Sequence, residues 1–335
     1  MLRTGGKRRL VVLTVLILLI VQPFIWSCGQ RNHGDTPSSF VVKKGTKIST
    51  IAQHLEQENL VSSRYLFLFG SLLFYRGRVV AGEYELSKNM SVFDIAKKMA
   101  NGDRKVYTLR IVEGYTLYTI GDVIEKAGIM DSKAFLQLAS KQDFLKKLAI
   151  PADSLEGFLA PDTYFFSKET EVDEFLEKIV QRTFKFLEKE DIKQRMQELR
   201  MSMLQVLSLA SIIEKEAKLE EEKKLISAVF HNRLRLGMTL DADPTVIYGL
   251  GSFNRDLKKA DLSSDTPYNT YKLKGLPKGP ICSPSRSSII AALYPQQSDV
   301  LYFVSRNDGS HVFSKTIEQH NHFVLIYQKN KSRKQ

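Results

Sequence analysis

The 335-residue chain has little cysteine: Cys28 and Cys282 are its only two. A pair this sparse makes neither a disulfide framework nor a metal site. No zinc-ligand spacing occurs, and no histidine motif accompanies Cys282, which reads as a small packing residue rather than a nucleophile. Basic runs interleaved with aromatics are missing too, so the sequence offers no nucleic-acid groove. No metal, no cofactor and no nucleic-acid partner are expected. Positive charge, by contrast, is in excess: 49 basic residues stand against 37 acidic ones, a formal charge of +12. Such an excess suits an acidic partner, either anionic lipid or an anionic polymer such as a bacterial wall. Solvated lysine faces and the basic tail from Lys329 account for much of it. With 43% apolar and 26% charged residues, the composition is that of a globular protein long enough for two or three cores.

Residues 1–9 carry Arg3, Lys7, Arg8 and Arg9 and no acid, and Leu10 to Trp26 is then apolar apart from Thr14 and Gln22. As a helix that run measures roughly 25 Å, just short of a bilayer core. Basic residues before it place the amino terminus inside. The expectation is a single-pass anchor over 10–27 in the cytoplasmic (inner) membrane, with the rest of the chain outside. A cleaved signal peptide and a lipoprotein modified at Cys28 are the competing readings. Residues 28–39, rich in Gly, Asn, Asp, Pro and Ser, read as a linker.

An internal repeat follows. Val42, Gly45, Ile48, Ile51, Leu55, Leu60 and Leu66 recur as Ile111, Gly114, Leu117, Ile120, Ile124, Ile129 and Phe135, at a constant offset of 69 residues. Each copy predicts a strand, a Gly turn, a helix and the start of another helix. The first, 40–103, resembles the LysM modules that bind the amino-sugar strands of peptidoglycan and chitin; a small packing domain is the alternative. The second occupies 104–150 within a larger unit, 104–328. The fold expected is therefore α+β: a transmembrane helix, small LysM-like β-α modules, and a mixed α+β catalytic domain.

Within the larger unit, SLEGFLAPDTYFF (154–166) crowds aromatics beside Glu156 and Asp162, a composition that suits sugar rings or simple turn chemistry. Helices are expected over 172–189, 223–236 and 284–293. Asp243 before Pro244 reads as an N-cap. A long loop, 261–285, a hairpin over 300–314 and a helix capped by Thr316 and Gln319 close the chain.

The stretch Leu204–Lys218, LQVLSLASIIEKEAK, leaves almost no polar face on a helix, so it is expected to be buried. Glu214 lies in one stripe with Leu207, Ala210, Ser211 and Ala217. A carboxyl there would lose water, and desolvation favours its neutral form, as general acid catalysis at a glycosidic oxygen requires. A buried carboxylate held by a basic partner is the competing reading. Glu216, two residues on, points to nearly the opposite side. Glu220, Glu221 and Glu222 read as a solvated charge run.

Five segments, LASIIEKEA, DADPTVIYG, TPYNTY, GLPKGPICSP and LYFVSRNDGSHVFSKTIEQHN, resemble in order and spacing the bacterial endolytic murein transglycosylases; SLEGFLAPDTYFF and the amino-terminal apolar run do so too. The resemblance runs from about Phe40 to Gln328. It implies cleavage within peptidoglycan glycan strands between N-acetylmuramic acid and N-acetylglucosamine, leaving 1,6-anhydro-muramyl ends and limiting glycan length. It implies Glu214 as the catalytic residue, with Glu156, Glu216, Asp243, Thr245, Asn269 and Tyr271 shaping the cleft. Peptidoglycan strands are the implied substrate, and peptidoglycan synthases stand as candidate partners. On this reading Glu214→Gln abolishes cleavage. A hydrolytic muramidase using Asp243 and a non-catalytic wall-binding scaffold are the alternatives.

Overall fold

The structure, a computed structural model, describes residues 36–167 and 170–329. The chain divides into two compact units, one running to Tyr107 and including Phe165–Thr170, the other comprising Thr108–Tyr164 and the chain from Glu171 onward.

The first unit is built from β1 (Ser38–Val42), α1 (Ile48–Gln57), α2 (Arg64–Tyr75), β2 (Gly82–Leu86) and α3 (Val92–Asn101). Apolar alternation drives the strand pair. Phe40 and Val42 of β1 and Tyr84 and Leu86 of β2 are buried, and the antiparallel register sets Phe40 opposite Tyr84, so one face of the ribbon meets the helices. Ile51, Leu55, Phe67, Ile95 and Met99 complete that core. Ser91 and Asp94 form a reciprocal cap on α3, which ends at Gly102 in the left-handed conformation that glycine adopts without penalty.

The second unit holds α4 (Leu117–Lys126), α5 (Ser132–Ala139), α6 (Gln142–Lys147), α7 (Val172–Leu187), α8 (Glu190–Leu199), α9 (Met203–Glu216), α10 (Lys223–Arg235), α11 (Asp243–Leu250), α12 (Arg286–Leu293) and α13 (Ile317–Val324). Two small sheets accompany them. β3 (Tyr107–Ile111) pairs with β4 (Asp162–Phe166), and β5 (Tyr302–Ser305) with β6 (His311–Ser314). The β5–β6 hairpin is antiparallel, Tyr302 facing Ser314 and Ser305 facing His311. Helix α9 is the centre: every residue from Val206 to Ile213 is buried.

The 69-residue offset carries β1 onto β3 and α1 onto α4 residue for residue. It also brings the start of α2 to within one residue of the start of α5, and the resemblance ends after α5. The segment 69 residues beyond β2 holds no strand, and β3 takes its partner from 162–166 instead.

One part of the expected architecture needs correction. The apolar run over 10–27, expected to span a membrane, lies outside the described residues, and among those described no helix is long and apolar enough to cross a membrane. The described architecture is a mixed α+β one without a spanning element, and the single-pass placement in the cytoplasmic membrane is withdrawn with it.

Candidate active site

Helix α9 presents two carboxyls to two different surroundings. The helix starts from a reciprocal cap, Ser202 accepting from the Gln205 N–H and Gln205 from the Ser202 N–H. It runs to Glu216 as its last residue, so Glu214 and Glu216 both sit in the last turn but on opposed sides.

Glu214 faces the segment 281–288. That segment is fastened along the helix: Ser211 accepts from the Ile281 N–H at 3.0 Å, and the Cys282 thiol lies 3.4 Å from the Ser211 carbonyl. The Glu214 Oε2 then accepts from the Ser285 N–H at 2.8 Å, from the Ser285 hydroxyl in a short contact, and from the Ser288 hydroxyl at 2.6 Å. Lys223 Nζ lies 3.7 Å away. It also donates to Ser285 and Ser287 and pairs with Glu220 at 2.7 Å. The side chains of Glu214 and Lys223 are 11% and 8% exposed. Three donors on one oxygen are what a buried carboxylate needs to be tolerated.

Glu216 is different in every respect. It is half-buried and, among the described residues, makes no hydrogen bond or ion pair. It lines a cavity of about 440 Å³ with Asp241, Asp243, Tyr271, Tyr302 and His311. Burial, reinforced by the Asp243 carboxylate, pushes the Glu216 carboxyl up to about 8. It therefore keeps its proton at neutral pH. Asp243 is exposed and accepts a 2.6 Å bond from the Tyr271 hydroxyl, whose own proton is held more tightly through burial and that bond. Asp243 is not an N-cap: α11 begins on Asp243 itself, and its cap, Ala242, has no side chain to offer.

The other residues singled out from sequence lie away from this cavity. Thr245 is fully buried and bonds the Ala242 carbonyl and the Thr270 hydroxyl. Asn269 is buried too, its amide donating to the Leu262 and Ser264 carbonyls. Both brace the loop that carries Tyr271. Glu156 is 1% exposed. Its Oε2 accepts from the Leu117 N–H at 3.0 Å and the Tyr248 hydroxyl at 2.9 Å, while its Oε1 is buried without a partner. Burial pushes it up to about 7, against the pull of those two donors. Glu156 thus ties the start of α4 to α11.

Several residues went unnoticed in the sequence. Arg233, 8% exposed, donates to the carbonyls of Leu301 and Leu240 and to Asp241, fixing β5 beside the cavity. Lys223, Ile226, Phe230 and Arg233 share one helical stripe of α10, and a cation on an apolar stripe is the same signal that drew attention to Glu214. Glu222, read as part of a solvated run, is only 14% exposed at its side chain and binds the His311 ring at 2.7 Å and backbone N–H at 2.9 Å.

The Glu216 cavity is where the distant segments meet. It takes lining residues from Asp241–Gly249, from Thr266–Tyr271 and from Leu301–Asn321 as well as from α9. Known proteins resemble the chain over most of its length. The chain is 30% identical over 325 residues to an endolytic murein transglycosylase of Bacillus subtilis, covering 91% of this chain and 88% of that protein. It is 29% identical over 324 residues to an endolytic murein transglycosylase of Streptococcus pneumoniae, covering 87% of this chain and 58% of that longer protein. A crystal structure of a putative yceG-like protein from Listeria monocytogenes superposes with a TM-score of 0.61 at 34% identity, covering 87% of this chain and all of that one. A family model described as YceG-like matches residues 40–325, and the chain belongs to that family.

Proposed function

We propose that the protein is an endolytic peptidoglycan lytic transglycosylase, cutting glycan strands internally between N-acetylmuramic acid and N-acetylglucosamine, and that Glu216 is its acid and base. The observation that carries the assignment is the state of Glu216: a carboxyl without a partner among the described residues, still protonated near neutrality, in the open cavity where four of the five family-like segments converge. Relatives named endolytic murein transglycosylase support the substrate class.

The chemistry needs one such group. Glu216 gives its proton to the glycosidic oxygen as the bond from the muramyl anomeric carbon to that oxygen breaks. The muramyl 6-hydroxyl attacks the anomeric carbon, and the Glu216 carboxylate takes the hydroxyl proton. The product is a 1,6-anhydro ring, no water is consumed, and the enzyme returns to its starting protonation state. Intramolecular attack supplies an effective-concentration advantage of several kcal/mol, up to about 7 or more in well-oriented cases. Glu214, anchored on Ser285 and Ser288, serves to hold segment 281–288 against α9. The first unit, with its β-α-α-β order, fits a LysM-like module that would hold the glycan.

A second reading has its own observation. Asp243 is a second, solvent-facing carboxylate in the Glu216 cavity, and two carboxyls flanking one bond are the pattern of an ordinary hydrolase. Digestion of purified glycan by wild type, Glu216→Gln and Glu214→Gln, with product ends read by mass, tests both. Anhydro ends that vanish in Glu216→Gln are expected. Reducing ends would establish a muramidase, and binding without any release of fragments would leave only a wall-binding scaffold.

A further inference from the structure

Helix α2 of the first unit has two unlike faces. Phe67, Gly70 and Ser71 are buried in the unit's core. On the other side Tyr65, Leu72 and Leu73 are 67%, 58% and 60% exposed. Tyr65, Leu72, Leu73 and Arg76 fall on one helical stripe, seven, eight and eleven residues apart from the first. Phe74, on the stripe of Phe67, Gly70 and Ser71, turns instead toward α3, where its ring meets Phe93 edge-on at 5.5 Å. Exposed apolar residues are ordinarily scattered; a contiguous, rigidly presented patch marks an interaction surface.

The charge around the patch identifies its occupant. From Asn59 to Gly82 the chain contains Arg64, Arg76 and Arg78 and no Asp or Glu. Arg64 begins the helix and Arg76 caps its end, and Arg76 and Arg78 are exposed. Arg64 at the start of the helix is paired with Glu56, so the cations open to a partner are Arg76 and Arg78 at its end. An apolar stripe finished by two such cations complements an anionic bilayer interface, leucines below the headgroups and guanidinium groups among the phosphates. Tyrosine at the edge of such a stripe suits the same boundary. At 12 residues the helix is about 18 Å long, so it lies along a surface and does not cross it.

We propose that α2 docks the first unit flat on an anionic lipid surface, with Leu72 and Leu73 entering the acyl boundary and Tyr65 at its edge. The test uses the full chain with Trp26→Phe and Leu73→Trp, which leaves a single indole, at position 73. Its emission is followed with vesicles of phosphatidylglycerol and phosphatidylcholine, and with phosphatidylcholine alone. With the anionic vesicles we expect a blue shift, severalfold weaker quenching by aqueous acrylamide, and quenching by brominated lipid. Arg76→Gln with Arg78→Gln weakens the titration by about 25-fold, since each cation near the surface contributes about a factor of five. Leu72→Trp is an independent reporter should the first disturb the helix. An indole equally open to acrylamide with and without anionic vesicles overturns the proposal. So does one shielded in buffer alone: in proportion to protein concentration it means a second copy, and independently of concentration it means another part of this chain.

Discussion

Glu214 and Glu216 are two residues apart on one helix, and they have opposite lives. The Glu214 Oε2 collects a backbone N–H and two hydroxyls with a lysine close by. Glu216 has none of these and shares its cavity with two carboxylates, Asp241 and Asp243. The lesson concerns what burial alone implies. A carboxyl deep in an apolar helix is as readily a structural anchor as an acid, and what separates the two is whether donors meet it. Donors fix a carboxylate in place; their absence, with a like charge nearby, keeps the proton on.

The largest effect that can break this contrast is on turnover. Glu216→Gln should lower it by about a thousandfold, the scale of a lost general acid, with the far-ultraviolet spectrum unchanged. Glu214→Gln keeps an oxygen for Ser285 and Ser288 and should stay within about tenfold of wild type, given the roughly 1 kcal/mol of a typical hydrogen-bond change. The reverse ranking, measured as release of anhydro ends, would move the catalytic role to Glu214. Lys223→Met comes next and is read as stability. It leaves Glu214 buried without its nearby cation, a change that costs about 3–5 kcal/mol when a buried pair is broken. Urea unfolding measures it, and a loss under 1 kcal/mol would mean the serines alone hold the carboxylate.

Much of the fold was readable in the sequence. The alternation in β1 and β2, the stripes of α1 and α4, the hairpin of β5 and β6 and the buried centre of α9 are local periodicities, and each fell near its expected place. The departure of the second repeat after α5 was not, because strand pairing is a long-range choice: β3 pairs with residues 162–166, about 55 residues away. The site was legible as a set of segments but not as an arrangement. Helical spacing already separated Glu214 from Glu216. It did not say that segment 281–288 would meet one face and Asp243 with Tyr271 the other. Asn269 and Thr245 were singled out as polar residues in family-like segments, yet both are internal braces. Lys223 and Arg233 passed unnoticed because long cations are usually solvated.

Glu156 offers a subtler contrast with Glu216, since both carboxyls are pushed up and only one borders the open cavity. In Glu156 the folded value is about 7 against an ordinary 4.5. Between those two values the unfolded chain has lost the proton and the folded protein keeps it. The Glu156 share of stability therefore falls as pH rises from about 4.5 to about 7 and levels off above, by at most about 3 kcal/mol at 1.36 kcal/mol per pKa unit, while the share of Glu216 goes on falling to about 8. Glu156→Gln retains an acceptor for Leu117 and Tyr248 and should make that slope shallower, leaving the share that Glu216 carries. Unfolding midpoints from pH 4.5 to 8 decide it; an unchanged slope would assign the dependence to other groups.

The smallest expected effect sharpens the comparison most. Asp243 raises the proton affinity of Glu216, but burial is the larger cause. In Asp243→Asn the amide oxygen can still accept from Tyr271, while the neighbouring negative charge is gone. Ionising Glu216 becomes easier, so the alkaline fall in turnover, which follows loss of the Glu216 proton at about 8, should move to lower pH by less than the whole elevation. Turnover below that limb should be nearly retained, because a transglycosylase asks Asp243 for no covalent or proton-transfer step. A hydrolase that relied on Asp243 to attack or to activate water would instead lose turnover at every pH. One pH profile therefore separates a neighbour that tunes the acid from a partner that shares the reaction.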